Sequence, residues 1–142
     1  LQEYLAENIS PDWLHNVLDT KNLLLRGKEA YEQINTLRAP RVPIDYHLRY
    51  WKSEVIDFVI LQQDAFDKID ASTPIERQKD MLGKVLEVCH TGFDFDGFEE
   101  VNPYFKRLIN VFKQMNYSLY QSGDFKKYEA ELDAIIKERK AA

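Results

Sequence analysis

The sequence predicts an all-α protein, a helical bundle of about five helices, from three features of its 142 residues. Apolar side chains recur at steps of three, four and seven residues, the spacing of helices that bury one face. Helix-starting signals such as Ser10-Pro11 and Thr73-Pro74-Ile75-Glu76 precede two of these runs. We find no convincing strand pattern. We therefore expect one helical domain over residues 1–142.

The composition restricts the kinds of protein that this chain can be. Hydrophobic residues make up 44% of it, enough for a core, and no apolar run approaches the roughly 20 residues that span a bilayer. A net charge of −5 argues against broad nucleic-acid binding, which needs clustered Lys and Arg. The single cysteine, Cys89, is typical of a reducing compartment, so we expect a cytoplasmic protein. The chain has neither a signal peptide nor an initiator methionine, which suggests a piece of a longer protein.

The first helix is expected to begin at Ser10-Pro11, with Ser10 as cap. Gly27 interrupts it and predicts a close helix crossing. Its expected inner positions are Leu14, Val17, Leu18, Leu24, Leu25, Tyr31 and Ile34. Pro40 and Pro43 stop this helix, because the residue before a proline disfavours α conformation.

A second helix is expected from about Asp45, with inner positions Leu48, Trp51, Val55, Phe58, Val59 and Leu61. The third follows the capping box of Thr73, Pro74 and Glu76 and ends at Thr91-Gly92. Its expected inner positions are Met81, Leu82, Val85, Leu86 and Val88.

Residues 93–98 are expected to form a loop packed by its own aromatic side chains. A fourth helix begins at Asn102-Pro103, and a last one follows a break at Ser122-Gly123-Asp124. Their expected inner positions are Phe105, Leu108, Ile109, Phe112 and Met115, then Tyr128, Leu132, Ile135 and Ile136.

The sequence predicts no catalytic residue and no metal ligand set. It has no Gly-rich loop ending in Lys-Ser or Lys-Thr that would hold a phosphate. His15, His47 and His90 share no short ligand spacing. Cys89 and His90 point about 100° apart on a helix, so we expect a buried, unreactive thiol. The acidic residues Asp94, Asp96, Glu99 and Glu100 do not match a calcium loop and predict a solvated turn.

The segment Leu61-Gln62-Gln63-Asp64-Ala65-Phe66-Asp67 allows two interpretations. Phe66 lies near the expected end of a largely apolar helix. It could close the core there, or it could offer a flat aromatic surface that stacks on a ring supplied by another domain.

Residues 54–81, reading EVIDFVILQQDAFDKIDASTPIERQKDM, resemble the C-terminal helical domain of the catalytic alpha chain of V-type and archaeal-type rotary ATPases. The helix entry at Ser10-Pro11-Asp12-Trp13 and the helix that follows resemble it too, and the last helices do so more loosely. The matching positions within the motif are Leu61, Gln62, Gln63, Ala65, Phe66, Asp67, Asp70, Gln78, Met81 and Leu82.

The resemblance implies a parent protein that couples ATP synthesis or hydrolysis to proton or sodium transport. ATP or ADP and Mg²⁺ would bind a preceding nucleotide-binding domain of the same chain, and this part would hold no cofactor and perform no chemistry. It implies that Phe66, with Ala65 and Gln63, lines the adenine pocket. The turn at residues 37–45 would face the central rotor stalk, with neighbouring B subunits as further partners and the complex peripheral to the membrane.

The residues of that turn, Arg38, Pro40, Arg41 and Pro43, make it basic and stiff, whereas the related F-type turn is acidic. A mechanism in which the turn pushes the rotor stalk by steric contact is compatible with this difference. A mechanism that needs negative charge on the turn is not. An alternative from another class remains: a stand-alone helical interaction module whose apolar groove binds a partner helix. A reading frame that extends upstream into a Gly-rich phosphate loop would favour the rotary ATPase.

Overall fold

The computed structural model describes residues 11–38, 41–61 and 74–142, and it confirms the predicted all-α bundle. The α-helices of these residues are α1 Pro11–Leu37, α2 Ile44–Ile56, α3 Pro74–His90, α4 Val101–Tyr117 and α5 Gly123–Arg139. A π-helix, Asp57–Leu61, continues α2, and a 3₁₀-helix, Phe98–Glu100, leads into α4. The expected caps Ser10 and Thr73 lie outside the described residues.

Helix α4 lies at the centre of the core. Phe105 and Phe112 are fully buried on it, and all of the inner positions predicted for α3 and α4 are buried. Helix α5 packs against α4 through Leu132 and Ile135 and begins where Ser122 caps it, the Ser122 Oγ accepting from the Phe125 N–H at 3.2 Å. The apolar periodicity therefore predicted this half of the bundle correctly, because these helices each bury one continuous stripe.

The inner face of α2 is confirmed except at its end. Val55 and Val59 are buried, and Trp51 and Phe58 are partly buried against the core. Leu61 was predicted to face inward and is instead 51% exposed. Side chains two positions apart in an α-helix lie about 200° apart around its axis, so the burial of Val59 already turns Leu61 outward.

The prediction for α1 is wrong at three positions: Leu18, Leu25 and Tyr31 are about half exposed. Helix α1 packs mainly on α2 and less on α3, so one narrow face of it is covered. On that face Thr20, Gly27 and Ala30 are buried, and the larger Leu23 and Leu24 are partly buried against the core.

Gly27 allows the close crossing of α1 and α2 that the sequence predicted. A Cβ at this position would lie 2.0 Å from Ser53 Oγ, 2.2 Å from Ser53 Cβ and 3.3 Å from the Arg49 carbonyl oxygen. No side chain larger than a hydrogen fits between the two backbones here, so the crossing is confirmed.

The loop at residues 93–98 packs less on itself than predicted. Phe93 is buried against Tyr104 and Phe105 of α4, with ring centroids 5.5 and 5.6 Å away. The C-terminal residues hold the loop in place, since the Asp94 N–H donates to the Arg139 carbonyl oxygen at 2.8 Å and an isolated bridge joins Phe93 to Lys140. Phe93 thus anchors the loop to the core of the bundle.

None of the helices in the part of the chain that the structure describes is long and apolar enough to cross a membrane.

Candidate functional site

The turn between α1 and α2 is closed by its own backbone. Arg38 takes a left-handed conformation, with φ at 62°, and its N–H donates to the Ile34 carbonyl oxygen at 2.9 Å. This is the usual way to end a helix, although glycine is the usual residue there. The Arg41 N–H donates in turn to the Arg38 carbonyl oxygen at 3.0 Å. Pro40 lies outside the described residues.

One buried side chain fixes this turn to the bundle while its charges stay outside. Val42 is buried, and Pro43 stands directly before α2 and accepts from the Tyr46 N–H at 3.0 Å. Arg38 and Arg41 are exposed, and neither pairs with any carboxylate that the structure describes. Arg38 and Arg41 therefore present two guanidinium groups that no described carboxylate neutralises.

Behind the turn, α1 and α2 form a closely packed hairpin. The Gly27–Ser53 crossing brings the two backbones together, and the rings of Tyr31 and Tyr50 stack with centroids 5.1 Å apart. Close contacts at two levels resist sliding of one helix along the other. The two helices of the hairpin are thus held together at two levels.

The residues predicted to line an adenine pocket, Gln63, Ala65 and Phe66, lie outside the described residues. The structure shows what holds the elements on either side of them. Asn116 Nδ2 donates to the Val59 carbonyl oxygen in the π-helix at 3.3 Å. Arg77 of α3 donates to the carbonyl oxygens of Met115 (2.9 Å) and Asn116. The end of α4 therefore holds both the middle of the π-helix and the start of α3.

Sequence reasoning missed Arg77 and Asn116, both of which are buried. A signal for them exists. Arg77 lies four residues before Met81, and Asn116 lies four residues after Phe112, so each occupies an otherwise apolar helix face. A polar group in such a place needs hydrogen-bond partners, and helix-end carbonyl groups supply them.

His47, His90 and Cys89 each contact different residues and do not form a common site. His90 is exposed and contacts Asp19 at 2.6 Å, while His47 stacks on Phe98 and burial lowers its pKa. Cys89 is buried as predicted, and burial raises the pKa of its thiol to about 12. Across the described residues, His, Cys, Asp and Glu form no group of three or more that could hold a metal ion.

The acidic turn is more ordered than the predicted solvated turn. Glu100 is partly buried and pairs with Arg139, whose guanidinium also lies 5.5 Å from the Phe95 ring centroid. Asp94, Asp96 and Glu99 are exposed as expected. The pairing of Glu100 could not be read from the local sequence, because its partner lies 39 residues away.

The chain has curated relatives along most of its length. It is 30% identical over 127 residues to the V-type ATP synthase alpha chain of Protochlamydia amoebophila, a match to 89% of this chain and 21% of that one. The alpha chain of Treponema denticola is 31% identical over 126 residues, with the same coverage. That of Borreliella burgdorferi is 30% identical over 120 residues, or 84% of this chain.

No family model matches the chain, and no solved structure matches it. The chain spans about a fifth of the length of the relatives named above. The resemblance that the sequence predicts is thus confirmed: this chain is homologous to a segment, about one fifth, of V-type ATP synthase alpha chains.

Proposed function

We propose that this chain is the C-terminal helical domain of the catalytic alpha chain of a V-type rotary ATP synthase. The whole protein couples ATP synthesis or hydrolysis to proton or sodium transport, and ATP or ADP and Mg²⁺ bind its nucleotide-binding domain. The complex is peripheral to the membrane on its cytoplasmic side. The observation that carries this proposal is the match of 84–89% of this chain to one fifth of three alpha chains.

Within that machine, the turn at residues 38–43 is the contact to the central stalk. Two observations support this role: Arg38 and Arg41 are exposed and unpaired among the described residues, and Val42 fixes the turn to the bundle. The packed hairpin behind the turn acts as a lever. The hairpin transmits displacement of the rotor stalk by steric contact alone, so a basic turn serves this role as well as an acidic one.

At the other end of α2, Phe66 stacks on the adenine base, and Ala65 and Gln63 line the pocket beside it. The partners there are the nucleotide-binding domain of the same chain and a neighbouring B subunit. The Leu-Gln-Gln motif supports this assignment, as do the hydrogen bonds of Asn116 and Arg77, which hold the flanking elements at the end of α4.

Replacing Phe66 in the complete ATP synthase tests the pocket assignment. Phe66→Ala should weaken ADP binding by roughly 1–3 kcal/mol, the contribution of one aromatic side chain stacked on a base. Phe66→Tyr keeps the ring and should retain affinity. Phe95→Ala, on the loop after α3, should leave ADP affinity unchanged and controls for general damage. If Phe66→Ala binds ADP as tightly as the wild type, Phe66 does not contact the base.

A further inference from the structure

A second surface feature, separate from the turn, lies between α2 with its π-helix and α4. It is a cleft of about 470 Å³ that opens to solvent. Its walls are Tyr50, Trp51, Glu54 and Phe58 on one side and Lys106, Ile109, Asn110 and Lys113 on the other.

The walls of this cleft follow the helical repeat. On α4, Lys106, Asn110 and Lys113 occupy successive turns of one edge, and on the other wall Trp51, Glu54 and Phe58 do the same. Seven residues of an α-helix rise about 10 Å, so the cleft is a groove two turns long. Its floor is apolar, since Ile109 is buried and the rings of Trp51 and Phe58 are half-buried.

The two walls carry opposite charges. Lys106 and Lys113 are exposed, and neither pairs with a carboxylate of the described residues. Lys113 Nζ lies 4.9 Å from the centroid of the Phe58 ring, which holds the ammonium group over the groove. Across from them stands Glu54, whose pKa is raised by burial and by the neighbouring Asp57.

The spacing of the lysines limits what the groove can bind. The two lysines lie about 10 Å apart along the helix axis, and the contact of Lys113 with the Phe58 ring gives that ammonium group a position of its own, so the wall presents two separate positive charges. A ligand that uses both needs two acidic groups the same distance apart, with an apolar surface between them. A helix carrying carboxylates seven residues apart beside an apolar stripe has this spacing, and it fits a straight groove between two helices.

We propose that the α2–α4 groove binds an acidic amphipathic helix of a partner protein. Its apolar side chains contact Trp51, Phe58 and Ile109, and its two carboxylates pair with Lys106 and Lys113. A donor on its opposite flank can reach Glu54. The opposed charges of the two walls allow one orientation of the bound helix about its own axis, because rotating it brings its carboxylates to Glu54.

The test uses the 142-residue chain and a labelled synthetic helix with a leucine stripe and two glutamates seven residues apart. Fluorescence anisotropy measures its binding. The chain should bind this peptide in the micromolar range, about 1–100 μM. Lys106→Glu combined with Lys113→Glu should weaken binding by at least about tenfold. Lys79→Glu is the matched control, since it is an exposed lysine at the sixth position of α3, as Lys106 is of α4, and should have no effect.

A charge exchange makes the result independent of folding. A second peptide with both glutamates replaced by lysine should bind the wild type poorly and the double variant well. Equal binding of the acidic peptide to the wild type and the double variant overturns the proposal, as does no binding up to about 1 mM. It is also overturned if the chain forms a dimer that the double variant loses, because the groove is then filled by a second copy.

Discussion

Gly27 is the residue on which the packing of the α1–α2 hairpin depends. Gly27→Ala would place a methyl group about 2 Å from Ser53, and a Cβ cannot be moved aside as a flexible side-chain end can. We expect the free energy of unfolding to fall by about 1–3 kcal/mol, the usual cost of overpacking. This outweighs the gain of up to ~1 kcal/mol that alanine brings to a helix. Urea unfolding followed by circular dichroism measures the change.

Gly83 provides the matched control. It lies within α3, and a Cβ there would meet no atom within 4 Å. Gly83→Ala should therefore raise the free energy of unfolding by about 0.5–1 kcal/mol through helix propensity alone. If the two alanine variants changed stability in the same direction by the same amount, the close crossing at Gly27 would be wrong.

Cys89 gives a chemical readout of the folded core. With its pKa raised to about 12 by burial, only about one thiol in ten thousand is ionised at pH 8, and the thiol group is also covered. A disulfide reagent such as DTNB should react with the native chain about 1,000-fold more slowly than with the chain in guanidinium chloride. Rapid stoichiometric labelling of the native chain would contradict this.

The same pKa shift has a consequence for stability at high pH. The unfolded thiol ionises near its ordinary pKa of 9.0, while the folded thiol keeps its proton until about pH 12. The folded state therefore binds more protons between these values, and the contribution of Cys89 to stability falls as pH rises from about 9 to 12. Below about pH 9 this contribution is fully present.

Gly27 and Cys89 could be predicted from the sequence because each has one dominant physical property: a missing Cβ or a small, mostly apolar side chain. Arg77 and Asn116 could not be placed in the same way. Their positions on inner helix faces are visible, but the carbonyl oxygens that they contact belong to other elements. Such a partner is fixed only when the helices pack together.

At the scale of elements, Arg77 joins the start of α3 to the end of α4. Arg77→Met keeps the volume and removes the donors, so the carbonyl oxygens of Met115 and Asn116 lose charged hydrogen bonds in a buried place. We expect a loss of about 2–3 kcal/mol in the free energy of unfolding, measured by urea titration.

Arg107→Met is the comparison for this variant. Arg107 forms two hydrogen bonds to Glu138, at 3.0 and 2.9 Å, but both side chains are about half exposed. Water replaces such contacts easily, so the unfolding midpoint should change little. Equal destabilisation by the two variants would show that the burial of Arg77 adds nothing.

The periodicity of apolar residues predicted where the helices are, but not which side of α1 is covered. Helices α3 and α4 each pack through one broad apolar stripe, and all of their predicted inner positions are buried. Helix α1 has large apolar side chains on several sides, and its crossing with α2 at Gly27 leaves Leu18, Leu25 and Tyr31 about half exposed while Leu23 and Leu24 pack on the core. The π-helix also escaped prediction, because its backbone hydrogen bonds leave no simple mark on the residue pattern.

At the scale of the whole molecule, the two candidate contact regions flank α2 along the chain. The turn at residues 38–43 precedes it, and the segment with Gln63, Ala65 and Phe66 follows its π-helical extension. A helix that is packed along its length carries displacement from one end to the other with little bending. In the proposed rotary enzyme, α2 thus links the rotor contact to the nucleotide pocket.

This view predicts that stiffness matters more than charge in the proposed rotor contact. In the complete ATP synthase, Arg38→Gln combined with Arg41→Gln removes both charges from the turn and keeps the length of the turn. ATP synthesis driven by the ion gradient should stay within about twofold of the wild type, because contact and not charge transmits the push. Tyr31→Ala removes the stack on Tyr50 and loosens the hairpin behind the turn. It should lower coupled synthesis more than the double glutamine variant, while ATP binding stays unchanged. A large loss in the glutamine variant, with normal coupling in Tyr31→Ala, would instead mean that the two arginines act through their charge.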